Sequence, residues 1–324
     1  MKRRKLFRST AIRSALLGRS AVITGAEEAL AASDEERDVT IERYIPGKPH
    51  KGKVLVVIHS HLDDAPFHCT GTAAKLIKEG YTGYLIRSTN NEKTGGNTFA
   101  ENILSHEQDQ IKMAKAVGFK DIFNLYYRQH EMDGISPLEL RARLILIFRA
   151  LKVDTVITHN PWGQWEENPD HWVTGRAVEQ ACWMAGAVDF PEHREAGIMP
   201  HSVSERYYWV GRREQPFNRI VDISTTIEEK MNSLVECKSQ GGGSYGSRLR
   251  RELAKEGKHL PLLGNDDESA DREYVKRFVL NRWSTFEGIE KYGLEHGERF
   301  YYIDQRPRGK SEVEEYIEKN AVKL

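Results

Sequence analysis

From Val54 onward the chain alternates short runs rich in Val, Ile and Tyr with longer stretches whose apolar residues recur every three or four positions. The apolar runs fall at Val54–His59, Tyr81–Ser88, Ile122–Tyr127 and Thr155–His159. The helix-like stretches fall at 69–79, 101–117, 137–151 and after Pro169. Strand and helix in strict alternation predict β-α-β units, and hence an α/β fold with a Rossmann-like parallel sheet flanked by helices. Gly80 and Gly118 sit where helices should close, and Pro137 and Pro169 sit where they should open.

Past residue 190 the alternation loosens. Short strands are expected at Tyr207–Val210 and Ile220–Ile223, followed by a helix from Thr225 to Cys237. No strand precedes Gly241-Gly242-Gly243-Ser244 and no Gly-Lys-Ser/Thr follows it, so this run is read as a flexible connector, not a phosphate loop. The expected organisation is a tail at 1–33, a main domain at 34–240 and a mixed, mainly helical C-terminal extension at 241–324 packed on the same domain. No internal repeat is visible.

Lys plus Arg and Asp plus Glu each number 48 in 324 residues, so no excess of positive charge argues for a nucleic-acid partner. A neutral or small polar substrate fits that balance better. Three cysteines, Cys69, Cys182 and Cys237, are too few and too scattered for a disulfide framework or a thiolate metal knuckle. No run approaches the ~18 apolar residues of a membrane helix. The tail carries Arg3-Arg4 and ends in Ala29-Leu30-Ala31-Ala32, a pattern that resembles a twin-arginine export signal and implies a periplasmic or extracellular location. Arg13, Arg19, Glu27 and Glu28 interrupt its apolar stretch, which leaves a cytoplasmic protein with a basic tail as the alternative.

His61, Leu62, Asp63 and Asp64 follow the first long strand, and Asn168-Pro169-Asp170-His171 opens the helix after the fourth. Open parallel sheets bind ligands at the carboxyl ends of their strands, so both clusters fall where chemistry is expected. A catalytic zinc needs three ligands from His, Asp or Glu and one open position. His61 and Asp64 can face one point and His171 can reach it from the next turn. Asp63, between the first two, is then placed to take a proton. A plainer reading treats the carboxylates as helix caps and His171 as an ordinary histidine. Around these, Trp162 and Trp165 could stack on a sugar face or pack an interface, with Glu166 between them and the helix. Arg128 and His130 follow the third strand and should reach the same rim.

Val-x-x-x-His-x-Asp-Asp after the first strand, together with Asn-Pro-Asp-His-x-x-Thr-Gly-Arg-Ala-Val after the fourth, resembles the LmbE-like, PIG-L-type zinc N-deacetylases over roughly residues 53–240. The resemblance implies a zinc-dependent hydrolase that removes an N-acetyl group from an N-acetylglucosamine-type sugar or glycoconjugate. By it, His61, Asp64 and His171 hold one zinc ion and Asp63 activates zinc-bound water. The chain departs from the family pattern at Ala65, where a carboxylate is usual, and at Asn168, where a His often assists the oxyanion or leaving amine. Asn168 can donate a hydrogen bond but cannot act as a general acid, which leaves His130 or protonated Asp63 for that step. Cys237-Lys238-Ser239-Gln240 stands where His-x-Ser-Gln is often found. Two rival readings remain: a non-catalytic carbohydrate-binding protein of this fold, and an amidase acting on a larger conjugate. Iron, cobalt or nickel could occupy the same ligands, and self-association is left open.

Overall fold

The structure is a computed structural model that describes residues 39–280, 282, 286, 288–305 and 311–322. The export-signal reading of residues 1–33 lies outside the described residues. In chain order the principal elements are β1 (Thr40–Glu42), β2 (Val54–His59), α1 (Asp64–His68), α2 (Thr70–Lys78), β3 (Thr82–Thr89), α3 (Phe99–Val117) and β4 (Asp121–Tyr127). There follow α4 (Pro137–Leu151), β5 (Thr155–His159), α5 (Pro169–Ala187), β6 (Glu205–Trp209), β7 (Arg219–Asp222) and α6 (Ile227–Glu236). The chain closes with α7 (Tyr245–Lys255), α8 (Asp267–Tyr274), β8 (Gly297–Asp304) and α9 (Glu312–Asn320). No helix among the described residues is long and apolar enough to cross a membrane.

All eight strands belong to one sheet, in the order β1-β7-β8-β6-β5-β2-β3-β4. The five strands from β6 to β4 are parallel to one another. Both faces of this part are covered, as near-continuous apolar strands require. Leu55 and Val57 of β2 face a core completed by α2 and α3, while Val56 and Ile58 face the opposite core, completed by α4 and α5. Adjacent residues of a strand point to opposite faces, so one six-residue run anchors two hydrophobic layers. The expected punctuation is in place: Gly118 closes α3 in the left-handed conformation, and Pro137 and Pro169 occupy first turns.

From β2 the chain proceeds outward to β3 and β4, then returns to the other flank of β2 to lay down β5 and β6. The carboxyl ends of β2 and β5 are therefore neighbours at the point where the strand order reverses. Loops leaving the two strands diverge there and open a crevice, which is where open α/β sheets bind ligands.

Two parts of the C-terminal third differ from the sequence-based expectation. β8 enters the sheet between β6 and β7 and runs antiparallel to both, so residues 241–324 supply an internal strand as well as helices. Its alternation of polar and large residues, Glu298-Arg299-Phe300-Tyr301-Tyr302, is short and charged, and its pairing partners lie far away in sequence. The glycine run is packed, not a free connector. Gly241 has φ +90° and a Cβ there would lie 3.2 Å from Asp63 Cβ, while a Cβ on Gly243 would lie 2.4 Å from the Val235 carbonyl. Glycine is required because the chain passes directly beneath the β2–α1 turn.

Candidate metal centre

The turn after β2 is built by its own side chains. Asp64, the first residue of α1, folds back so that Oδ2 accepts the backbone N–H of Ser60 at 3.0 Å and of His61 at 2.7 Å. That holds His61 at the crevice. His171 arrives on the first turn of α5, whose start is set by Asn168: its side-chain oxygen accepts the N–H of Asp170 at 3.1 Å, with Pro169 next in line.

His61 Nδ1 lies 3.0 Å from His171 Nε2 and 3.5 Å from Asp64 Oδ2, and His171 Nε2 lies 3.2 Å from Asp64 Oδ1. Bonds of about 2.0–2.1 Å at tetrahedral angles place ligand atoms about 3.3 Å apart, so these donors already have the spacing of three ligands around one small cation. The nitrogens not facing this point are committed. His61 Nε2 is 2.8 Å from Asp170 Oδ2, and His171 Nδ1 is 3.1 Å from Glu166 Oε1. A carboxylate behind each imidazole fixes its tautomer and leaves the other nitrogen free to bind a metal, the usual outer shell of a histidine-ligated ion. The donor set therefore fits a divalent cation.

His61, His130 and Asp170 also come close enough together to be considered a trio. There, however, Asp170 accepts from the His130 N–H at 2.7 Å and the Met132 N–H at 3.3 Å as well as from His61. Its oxygens hold the β4–α4 loop against α5, which makes it a support for His61. His159, the last residue of β5, completes the floor. Its ring stacks on that of His171 at 4.3 Å, its Nε2 is 3.3 Å from Asp64 Oδ2, and Trp209 packs against its other side at 4.5 Å.

Charge is sharply partitioned in this cluster. Burial opposes a charge on His61, but Asp64 and Asp170 prevail and lift its pKa to about 9. Burial likewise opposes a charge on His171, which Asp64 and Glu166 raise to about 10. Asp64 resists the upward push of burial because His171, His61 and His159 surround it, and it stays well below the ordinary carboxylate range. Burial, then the negative charge of Asp64, pushes Asp63 up to about 7. Two adjacent carboxylates are thus driven apart, one held ionised and the other poised to gain or lose a proton near neutrality. Burial pulls His159 down to about 4, a neutral imidazole between charged neighbours.

His61, Asp63, Asp64, His130, Glu166, Asn168 and His171 all line one cleft of about 280 Å³, which also takes in His159 and Trp209. The structure brings these sequence-predicted residues together. It places Glu166 behind His171, and it places Arg128, Trp162 and Trp165 away from the cleft lining. Arg128 pairs with Glu92 at 3.1 Å on a separate hollow beyond His130. Trp162 packs edge-on against Tyr208 and Tyr301, and Trp165 is exposed to solvent, with its carbonyl held by Arg212. Sequence reasoning did not give roles to Asp170 and His159. Asp170 stood inside a quoted motif and His159 ends a buried strand at the switch point, so position carried a signal for both.

Residues 56–182 match the family model described as PIG-L: GlcNAc-PI de-N-acetylase. Among curated proteins, the diacetylchitobiose deacetylase of Thermococcus kodakarensis is 27% identical over 195 residues, which are 58% of this chain and 70% of that protein. The solved N,N'-diacetylchitobiose deacetylase of Pyrococcus horikoshii superposes with a TM-score of 0.60 at 23% identity, covering 82% of this chain and 89% of that one. GalB, the 4-carboxy-2-hydroxymuconate hydratase of Pseudomonas putida KT2440, superposes at 0.55 with 15% identity, covering 80% of this chain and 98% of that one. The fold is common to a deacetylase and a hydratase, so the choice of activity rests with the site.

Proposed function

Taking as premise that residues 56–182 form a PIG-L family domain, we propose that the chain is a metal-dependent N-deacetylase acting on an N-acetylglucosamine-type sugar or glycoconjugate. One observation carries the reading: three donors, His61 Nδ1, His171 Nε2 and Asp64, converge at ligand spacing with carboxylates behind both imidazoles and Asp63 beside them. The deacetylase relative from Thermococcus kodakarensis supports the substrate class.

His61, Asp64 and His171 would hold the ion, zinc in our reading. When bound, it supplies Lewis-acid polarisation of the amide carbonyl and acidifies the attacking water. Asp63 accepts the proton of that water and returns it to the departing nitrogen, so that amide and water leave as amine and acetate. In the metal-free chain burial and Asp64 raise the Asp63 pKa, and its place beside the donors suits both transfers. Asn168 is turned usefully: its oxygen is committed to the helix cap, which leaves its amide nitrogen 3.4 Å from His171 Nε2. That N–H group can donate to the carbonyl oxygen as negative charge develops.

The test combines elemental analysis with acetate release from a panel of N-acetylated sugars, for the native chain and for Asp63→Asn. About one zinc per chain and acetate release from the native protein, with metal but no turnover in Asp63→Asn, is the expected pattern. Metal binding with no acetate from any sugar would reject the assigned reaction.

A further inference from the structure

Arg87, on β3, is fully buried, and its Nε, Nη1 and Nη2 all lack a hydrogen-bond partner. No carboxylate among the described residues accepts from any of the three. Burial lowers the Arg87 pKa to about 10 against the support of Glu107 and Tyr126 from farther away, which leaves the guanidinium charged at neutral pH.

The surroundings follow from the register of the sheet. Leu55 and Val57 of β2 and Leu85 of β3 share an apolar layer with Met113, Ala114 and Val117 of α3. Two residues nearer the carboxyl ends, the same face presents His59 and Arg87, which are paired across the two parallel strands. On α3, Gln110 and His106 follow Met113 along the same buried face. Each of these four residues is at most 1% exposed, so water does not reach them from outside. Both nitrogens of His59, both polar atoms of Gln110 and Nε2 of His106 are without partners as well. His106 Nδ1 is taken by the Asn102 carbonyl at 2.5 Å. Burial and the charge of Arg87 both lower the pKa of His106, so guanidinium and imidazole face one space. The layer beneath α3 is thus apolar along one half of the helix and polar, with unmet donors, along the other.

A buried charge is tolerated when the group neutralises, pairs with a protein counter-charge or takes a counter-ion. An arginine does not give up its proton near neutrality. Asp109, on the same buried face of α3, is held by the N–H and hydroxyl of Ser239, both at 2.7 Å. Water satisfies N–H groups but leaves the charge uncompensated.

We propose that Arg87 and the Gln110 amide bind a monovalent, halide-sized anion between β3 and α3. Enclosure on all sides restricts the occupant to a small ion, and one guanidinium balances one negative charge. β2 runs from His59 into His61, and Thr89, two residues past Arg87, donates to the Ser60 carbonyl at 2.6 Å. The ion therefore braces the strand ends that carry the metal centre. Its binding is independent of the reaction assigned to that centre.

The experiment uses the full chain loaded with zinc. Crystals grown in sodium bromide should show an anomalous peak within hydrogen-bonding reach of the Arg87 guanidinium, separate from any bromide on the zinc. Melting temperature should be about 2–4 °C higher in sodium chloride than in sodium gluconate at equal ionic strength, since the larger anion is excluded. Arg87→Met, which keeps the length of the side chain and removes its charge, should erase that difference. Should Arg87→Met fail to fold, the bromide crystals decide the matter alone. Water in place of bromide, or Glu107 swung in to pair with Arg87, overturns the site. Equal melting temperatures in the two salts, or a chloride effect that survives Arg87→Met, overturn it too.

Discussion

The parallel and antiparallel parts of the sheet contribute opposite chemistry to adjoining cavities. The parallel strands β2 and β5 end in imidazoles and carboxylates whose charges are paired within a few ångströms, whereas the antiparallel insertion of β8 brings arginines together around a neighbouring cavity. The first arrangement is built to hold a cation and move a proton, and the second gathers guanidinium groups along one wall. At the metal centre each imidazole that faces the donor point has a carboxylate behind it.

The largest expected effect tests the first half of that comparison. His171→Ala removes one donor of three and should take zinc from about one per chain to none, with loss of acetate release. Asp63→Asn should keep the metal and lower turnover by roughly 10²–10⁴-fold, the range for removing a general base. If Asp63→Asn also lost its metal, Asp63 would be a ligand and the division of labour between the two adjacent carboxylates would be misassigned.

Next in size comes the joint between the two regions. Lys230 and Glu298 are fully buried, and Lys230 also donates to the carbonyls of Pro66 at 3.0 Å and Phe67 at 2.9 Å at the end of α1. The pair fastens β8 to the helices beneath the metal centre. Glu298→Ala strands a buried ammonium and should cost about 3–5 kcal/mol of stability by denaturant unfolding. A loss under about 1 kcal/mol would show that the two regions are held together by something else.

A smaller effect tests the carboxylates behind the imidazoles. Glu166→Gln keeps size and hydrogen bonding but removes charge from behind His171, and should weaken zinc binding about 10–100-fold. Unchanged affinity in a competition titration with a chelator would reduce Glu166 to a packing role.

How much of this could be read from the sequence follows the same division. His61, Asp63 and Asp64 lie within a few residues of the end of β2, and Asn168 and His171 at the start of α5, where local rules for strands, caps and first turns put them. Parallel β-α-β units repeat one local decision, so errors do not accumulate. The arginine cavity depends on β8 crossing between β6 and β7, a pairing of Phe300 with both Trp209 and Arg219 that no local pattern encodes. The packing of the glycine run at 241–243 is hidden from the sequence for the same reason, since a tight approach to Asp63 and Val235 is a tertiary fact. Arg128, Trp162 and Trp165 follow strand ends or flank the motif. That criterion gives the rim but not which side of it a side chain takes.

The smallest effect is the most diagnostic of the charge partition. In the chain by itself His61 and His171 have pKa values of about 9 and about 10, against 6.5 ordinarily. Raised values mean that the protonated forms favour folding: the stabilisation is complete below about 6.5 and is lost as pH climbs through 9 and 10. Asp63, at about 7, titrates at the lower edge of that window, so the two histidines dominate its upper part. A cation needs both imidazoles unprotonated, so its affinity runs the other way and strengthens as pH rises toward 9. Melting temperature measured from pH 7 to 10 should therefore fall in chelator, while the upward shift produced by saturating zinc grows over the same range. A flat profile in chelator together with a zinc shift that ignores pH would mean that the two histidines are not charged against Asp64.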